Sequence, residues 1–178
     1  LDALKCKVQK SKTAIFCNLV MDEISIREQI IYDGNRYYGF VVVGISTNDV
    51  DKSQKAKSAL VLMLVALNGH WKIPICYFLI NSMNGKERAS LVEKCMELVH
   101  ETGIILHSLT FDGAQVNLSM CTYLGANFQL GKNFKPYFSH PVTKEKIFCF
   151  SDQCHMLKLV RNTLGDKLEL RYKGKGIF

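Results

Sequence analysis

Two aspartates occupy the same kind of place in this sequence. Asp22 closes the run NLVMDE and Asp112 closes SLTFDG, each after a short, nearly uninterrupted apolar stretch of the sort that forms a buried strand. Carboxylates delivered to one edge of a sheet suit hard divalent cations. Mg²⁺ or Mn²⁺ takes oxygen ligands in octahedral geometry, keeps several waters and is held by few protein carboxylates plus substrate phosphate oxygens. Two such ions about 3.5–4 Å apart can activate an attacking hydroxyl and stabilise the leaving oxygen of an in-line phosphoryl displacement. Asp at a strand end is also a common cap or turn former, and Asp112-Gly113 reads equally well as a turn into a following helix. Pattern alone leaves both readings open.

The elements that must position these acids follow from periodicity. Ala14 to Met21 reads as a central strand that delivers Asp22 at its end, and Asp33-Gly34-Asn35 as a turn. Tyr37 to Ile45 is β-branched and aromatic, which predicts a strand; the polar stretch STNDVDKSQKAK then breaks the pattern. Ala59 to Leu67 suits a strand or a buried helix and is read as a strand; Ile73 to Ile80, with Pro74 near its start, suits a strand. Glu87 to Glu101 places Leu91, Cys95, Leu98 and Val99 near one face, predicting an amphipathic helix stopped at Gly103. Ile104 to Phe111 is then a strand ending at Asp112, followed by a helix through Leu118 to Leu124. Lys146 to Phe150 predicts a last short strand and Gln153 to Asn162 a helix, with a basic, poorly patterned tail from Gly165. The order implies an α/β fold, an antiparallel meander first and parallel, helix-crossed strands afterwards.

With 178 residues, 48% of them hydrophobic, the chain suits one domain with a continuous core. Its 23 lysines and arginines against 16 aspartates and glutamates give a formal charge of +7, which favours an anionic partner without identifying one. The seven cysteines are scattered, with no CxxC pair, and read as reduced thiols rather than a disulfide framework. Cys149, Cys154, His155 and His140 match no common zinc spacing. The opening LDALKCKVQKSKT has no apolar signal core and no apolar stretch reaches a membrane-spanning length, so an intracellular, soluble piece of a longer protein is expected, with no membrane partner.

Four blocks occur in order: LVMDEISIRE with its YDG turn and YYGFVVVG, then ALVLMLVALNGHWKIPICYFLI, LTFDGAQVNLSM, and SDQCHMLKLVRN. Together, from about Leu19 to Asn162, they resemble the catalytic, ribonuclease-H-like domain of P-element-type (THAP-domain) DNA transposases. The last block is similar to that family's acid-x-x-His-x-x-Lys-x-x-Arg-Asn helix, with Cys154 where members often carry Pro. The resemblance implies a ribonuclease-H-like mixed sheet and metal-dependent DNA cleavage and strand transfer in cut-and-paste transposition. It implies Asp22 and Asp112 as the first two catalytic, metal-binding acids, Mg²⁺ or Mn²⁺ as cofactor, and transposon-end and target DNA as partners. For the full-length protein it further implies homo-oligomers and a nuclear location. The family's third acid, a Glu, follows a helical insertion that binds guanine nucleotide. Neither has a counterpart here, and Glu169, in the basic tail, is no stand-in. The fold is therefore expected to be truncated before its final catalytic helix, with GTP bound only through a region absent from this chain. The zinc-coordinating THAP domain likewise has no counterpart. The resulting division is 1–13 as a linker, 14–163 as the catalytic domain and 164–178 as the start of the insertion.

Several residues carry two readings. Glu23, beside Asp22, points elsewhere if the strand continues through it and is at most a supporting residue. Asn117 lies about a helical turn beyond Asp112 and either orients the site or is an ordinary exposed helix residue, the reading preferred. His155, Lys158, Arg161 and Asn162 either contact phosphates or face water while Met156, Leu157 and Val160 pack, with His155 read as a helix-start residue. Trp71 reads as core rather than a base-stacking platform. The competing function is a domesticated transposase relative acting as a DNA-binding or protein-interaction module; retention of both acids argues mildly against it. A more distant alternative is a repair enzyme or ribonuclease of the same fold.

Overall fold

The computed structural model describes residues 1–42, 50–167, 171–172 and 175–176. Helix α1 (Asp2–Lys10) opens the chain and buries Leu4 in the main core. Strand β1 (Phe16–Ser25) follows, then a small hairpin of β2 (Ile31–Tyr32) and β3 (Tyr37–Tyr38), then β4 (Phe40–Val42), β5 (Val50–Lys55), β6 (Ser58–Ala66) and β7 (Lys72–Ile80). Helix α2 (Gly85–His100) leads to β8 (Ile105–Phe111), and α3 (Gln115–Leu124) to β9 (Tyr137–Ser139) and β10 (Lys146–Ser151). Helix α4 (Gln153–Lys167) and the two-residue strands β11 (Arg171–Tyr172) and β12 (Lys175–Gly176) complete the described chain.

Eight strands form one sheet in the order β5-β4-β7-β6-β1-β8-β10-β9. The pairings of β1 with β6, β6 with β7, β7 with β4, and β10 with β9 are antiparallel, whereas β1–β8 and β8–β10 are parallel. The helical crossovers that parallel pairs require are supplied by α2 and α3. This is the predicted mixed sheet, with β1 at its centre.

One face of the sheet carries the core. Alternation along β1 buries Cys17, Leu19 and Met21, and these join Leu60, Leu62 and Leu64 of β6, Leu109 and Phe111 of β8, and Val92, Met96 and Val99 of α2. Burying each large apolar side chain contributes about 1.5–3 kcal/mol. The face of α2 that packs is centred on Arg88, Ala89, Val92, Cys95, Met96 and Val99, so the predicted stripe is rotated and Leu91 and Leu98 sit at its half-buried margin. Asn84 and Glu87 start this helix with a reciprocal capping box. Trp71 packs partly buried against the core. The opposite face leaves Tyr77 and Phe150 exposed.

Three expectations are corrected. Strand β1 does not end at Asp22 but runs on to Ser25, because β6 continues to pair with it; only the parallel pairing with β8 stops, at Val20. The run from Tyr37 is not one strand. Gly39, at φ +100°, separates β3 from β4, and a Cβ there would lie 2.0 Å from the Gln29 carbonyl oxygen. The rest of that predicted strand, 43–45, lies outside the described residues, as does Glu169. The polar stretch after it contains β5, an edge strand among the described residues, where solvated polar residues are tolerated.

Candidate active site

Register places the two acids at matched positions past one end of the parallel β1–β8 ladder. The last parallel pairs are Asn18 with Ser108, Leu19 with Leu109 and Val20 with Thr110, so Asp22 and Asp112 each lie two positions beyond a paired residue on neighbouring strands. Just below them, Ser108 Oγ donates to Asn18 Oδ1 at 2.9 Å and Asn18 Nδ2 donates to Thr110 Oγ1 at 3.0 Å, a polar clasp between β1 and β8. The outer ends of parallel strands are where ligands of open α/β sheets bind.

The two carboxylates are held differently. Asp22 is exposed, and among the described residues its Oδ1 accepts only the backbone N–H of Glu23, at 2.9 Å. Asp112 is half-buried, and its Oδ1 accepts both the Ala114 N–H at 3.0 Å and Asn117 Nδ2 at 2.6 Å. Among the described residues neither Oδ2 receives a hydrogen bond and neither acid has an ion-pair partner.

Asn117 is therefore not an ordinary exposed helix residue. It is 4% exposed and lies between Asp112 and Arg88, whose Nη1 donates to its Oδ1 at 3.0 Å. Arg88, also 4% exposed, donates through Nε to the Met83 carbonyl at 3.4 Å and through Nη2 to Glu23. Strand alternation turns Glu23 to the face opposite Asp22, toward α2. The missed residue is Arg88. Its signal was its position four residues before Val92 and eight before Met96, on the apolar face of α2.

A third acid closes the neighbouring strand. The Ser151–Phe111 pair ends the β8–β10 ladder, and the Asp152 N–H donates to the Phe111 carbonyl at 2.8 Å. Its carboxylate is spent on α4, accepting from the Cys154 N–H at 3.2 Å and the His155 N–H at 3.3 Å. His155 is thus a helix-start residue. On α4, Met156, Leu157 and Val160 are exposed rather than packed. The helix passes close to the acid end: a Cβ on Gly113 would lie 3.6 Å from Leu159 Cδ1 and 3.7 Å from Met156 Sδ.

Among the described residues no three His, Cys, Asp or Glu side chains come together as a metal cluster. Asp22 and Asp112 nevertheless offer two hard carboxylates with no ion-pair partner among the described residues, a donor set that fits a cation completing its shell with water and phosphate oxygens. The zinc spacing considered for His140 is occupied otherwise, since His140 Nδ1 accepts the Val142 N–H at 3.1 Å. Burial and neighbouring His100 hold the His140 pKa below its ordinary value. Burial pushes the Cys17 thiol up to about 11. No helix among the described residues is long and apolar enough to cross a membrane.

Residues 1–125 match the family model described as "TNP-like, RNase H N-terminal domain". The human protein "DNA transposase THAP9" is 29% identical over 150 residues, 83% of this chain and 16% of that protein. The Drosophila melanogaster "Transposable element P transposase" is 28% identical over 149 residues, 82% of this chain and 17% of that protein. The chain thus spans about one sixth of the length of these relatives. A solved structure, the "Drosophila P element transposase strand transfer complex", shares the fold with a TM-score of 0.74 at 24% identity, covering 99% of this chain and 36% of that one.

Proposed function

The chain belongs to the family of TNP-like RNase H N-terminal domains, and on that premise we propose that it is the first part of a DNA transposase catalytic domain. Asp22 and Asp112 hold divalent metal, Mg²⁺ or Mn²⁺, for cleavage of a DNA phosphodiester. The 3′ hydroxyl released then attacks a phosphodiester of target DNA, expelling the target's own 3′ oxygen as the new bond forms. The observation that carries this reading is the placement of two carboxylates, without ion-pair partners among the described residues, at matched positions two residues beyond the last pair of the parallel β1–β8 ladder. A metal held by Asp22 and Asp112 would supply Lewis-acid stabilisation of charge at the attacking and leaving oxygens. The chain's own residues bind and orient: the Asn18 clasp fixes β1 against β8 beneath the acids, and the start of α3 holds one oxygen of Asp112.

Transposon-end and target DNA as partners, homo-oligomer formation, guanine nucleotide bound elsewhere in the protein, and a nuclear location belong to the same proposal. So does the division into a catalytic segment over 14–163 and the start of an inserted region over 164–178. The test is cleavage of transposon-end DNA in Mg²⁺ by the full-length protein. Asp22→Asn and Asp112→Asn are each expected to reduce cutting to background; retained cutting by either variant would overturn the assignment.

A further inference from the structure

A buried arginine on the packing face of a helix carries a desolvation cost unless its hydrogen-bonding capacity is met, and an apolar residue there would pack at no such cost. In α2 that arginine, Arg88, is directed at the acid site from behind. Its guanidinium spans Glu23 on β1 and Asn117 on α3, so it ties together the strand and the helix that flank the two acids. The approach is close by design of the sequence: a Cβ on Gly85 would lie 2.5 Å from Ser119 Oγ and 2.8 Å from the Met120 nitrogen. Only glycine lets the first turn of α2 lie this close to α3.

The chemistry of the contact fixes a direction. Arg88 is a donor only, whereas the Asn117 amide has one accepting and one donating end. With Oδ1 committed to Arg88, the flipped amide would set two donors against each other. The amide is thereby oriented with Nδ2 toward Asp112, where it donates to Oδ1 at 2.6 Å. Ala114 donates to the same oxygen at 3.0 Å. One carboxylate oxygen is anchored twice and the other is left for a ligand. Glu23, on the face of β1 opposite Asp22, supplies the charge that makes the buried guanidinium tolerable.

We propose that Arg88 and Asn117 are positioning residues for the candidate metal site: Arg88, paired with Glu23, orients the Asn117 amide, which anchors Asp112 through Oδ1 and presents Oδ2 to the cation. This rests on the metal-site reading above. Partners that orient a metal-ligating group typically contribute about 10–100-fold to metal affinity or activity.

The test uses the full-length protein and Mn²⁺ alone, with free ion followed by electron paramagnetic resonance, beside thermal unfolding of each variant. The site in question is defined as the binding lost in Asp112→Asn. At that site Asn117→Ala is expected to weaken Mn²⁺ by about 10–100-fold. Arg88→Lys, which keeps a cation beside Glu23 but lacks the fork that orients the amide, is expected to weaken it less, in the same direction. A purely structural role would lower the unfolding temperature and leave Mn²⁺ affinity unchanged in the folded variants; that result overturns the inference while leaving the acid pair intact. If Asn117→Ala fails to fold, Arg88→Lys decides on the same criterion. Mn²⁺ binding unaltered by Asp112→Asn would instead overturn the metal-site reading, and this inference with it.

Discussion

Two residues beyond their last shared pair, β1 and the chain leaving β8 carry the same residue type at matched positions and treat it in opposite ways. At the end of β8, Asp112 is half-buried and tethered through one oxygen by a backbone amide and a buried asparagine. Beyond the last β1–β8 pair, Asp22 is exposed and tethered only by the next residue's amide. The difference follows from what comes next in the chain. After Asp112 the chain turns into α3, whose first amides need acceptors; after Asp22 it stays a strand, paired with β6 as far as Ser25. One acid is held before any ligand arrives, and the other is free to adjust to it.

That asymmetry is sharpest under a change of side-chain length. Asp112→Glu moves the carboxylate off both of its tethers and is expected to lose DNA cleavage as completely as Asp112→Asn. Asp22→Glu breaks no comparable anchorage and is expected to retain measurable cutting. Equal loss in the two Glu variants, in a cleavage time course in Mg²⁺, would remove the distinction.

The next effect concerns stability, and contrasts two ion pairs that both involve α2. Arg88–Glu23 has a buried cation, whereas Lys94–Glu97 lies on the surface at 3.0 Å with both side chains exposed. Arg88→Ala leaves Glu23 and Asn117 without their partner and is expected to cost about 3 kcal/mol. Lys94→Ala is expected to cost under about 0.5 kcal/mol. Urea unfolding of both variants checks the contrast.

The smallest effect lies at the far end of α2, where His140 sits against His100, with Glu145 and Lys144 near it. Its Nδ1 accepts the amides of Val142 and Thr143, so the folded protein holds it neutral. With the folded pKa depressed by burial, the unfolded chain takes up this proton first as pH falls through its ordinary value of about 6.5. Stability is therefore present above that pH and declines below it, until the depressed folded value is reached. The melting temperature should fall between pH 7 and pH 5, with a shallower fall in His140→Gln.

Sequence periodicity was enough for β7, β8 and α3, because each is a continuous apolar or amphipathic run closed by a turn residue such as Gly125 at φ +100°. It left β6 open between a strand and a buried helix. It failed where tertiary context decides. Strand β5 is polar because it lies at a sheet edge, and β9 is too short to show a period. Asp22 and Asp112 stood out because each is the first acid after a short apolar run, although β1 continues through Asp22 to Ser25. Their unequal support did not, since Arg88 and Asn117 are 29 positions apart and meet only when α2 packs on α3. Asn117 looked like a surface residue because nothing in its own helix reveals that contact.

The most direct measurement is anomalous diffraction from crystals of the full-length protein soaked in Mn²⁺. The account predicts an anomalous peak shared by Asp22 and Asp112, with Asp112 bound through Oδ2 and its Oδ1 still held by Asn117. A peak bound by neither aspartate, or no peak beyond the end of the β1–β8 ladder in protein that cleaves DNA in Mn²⁺, would contradict it.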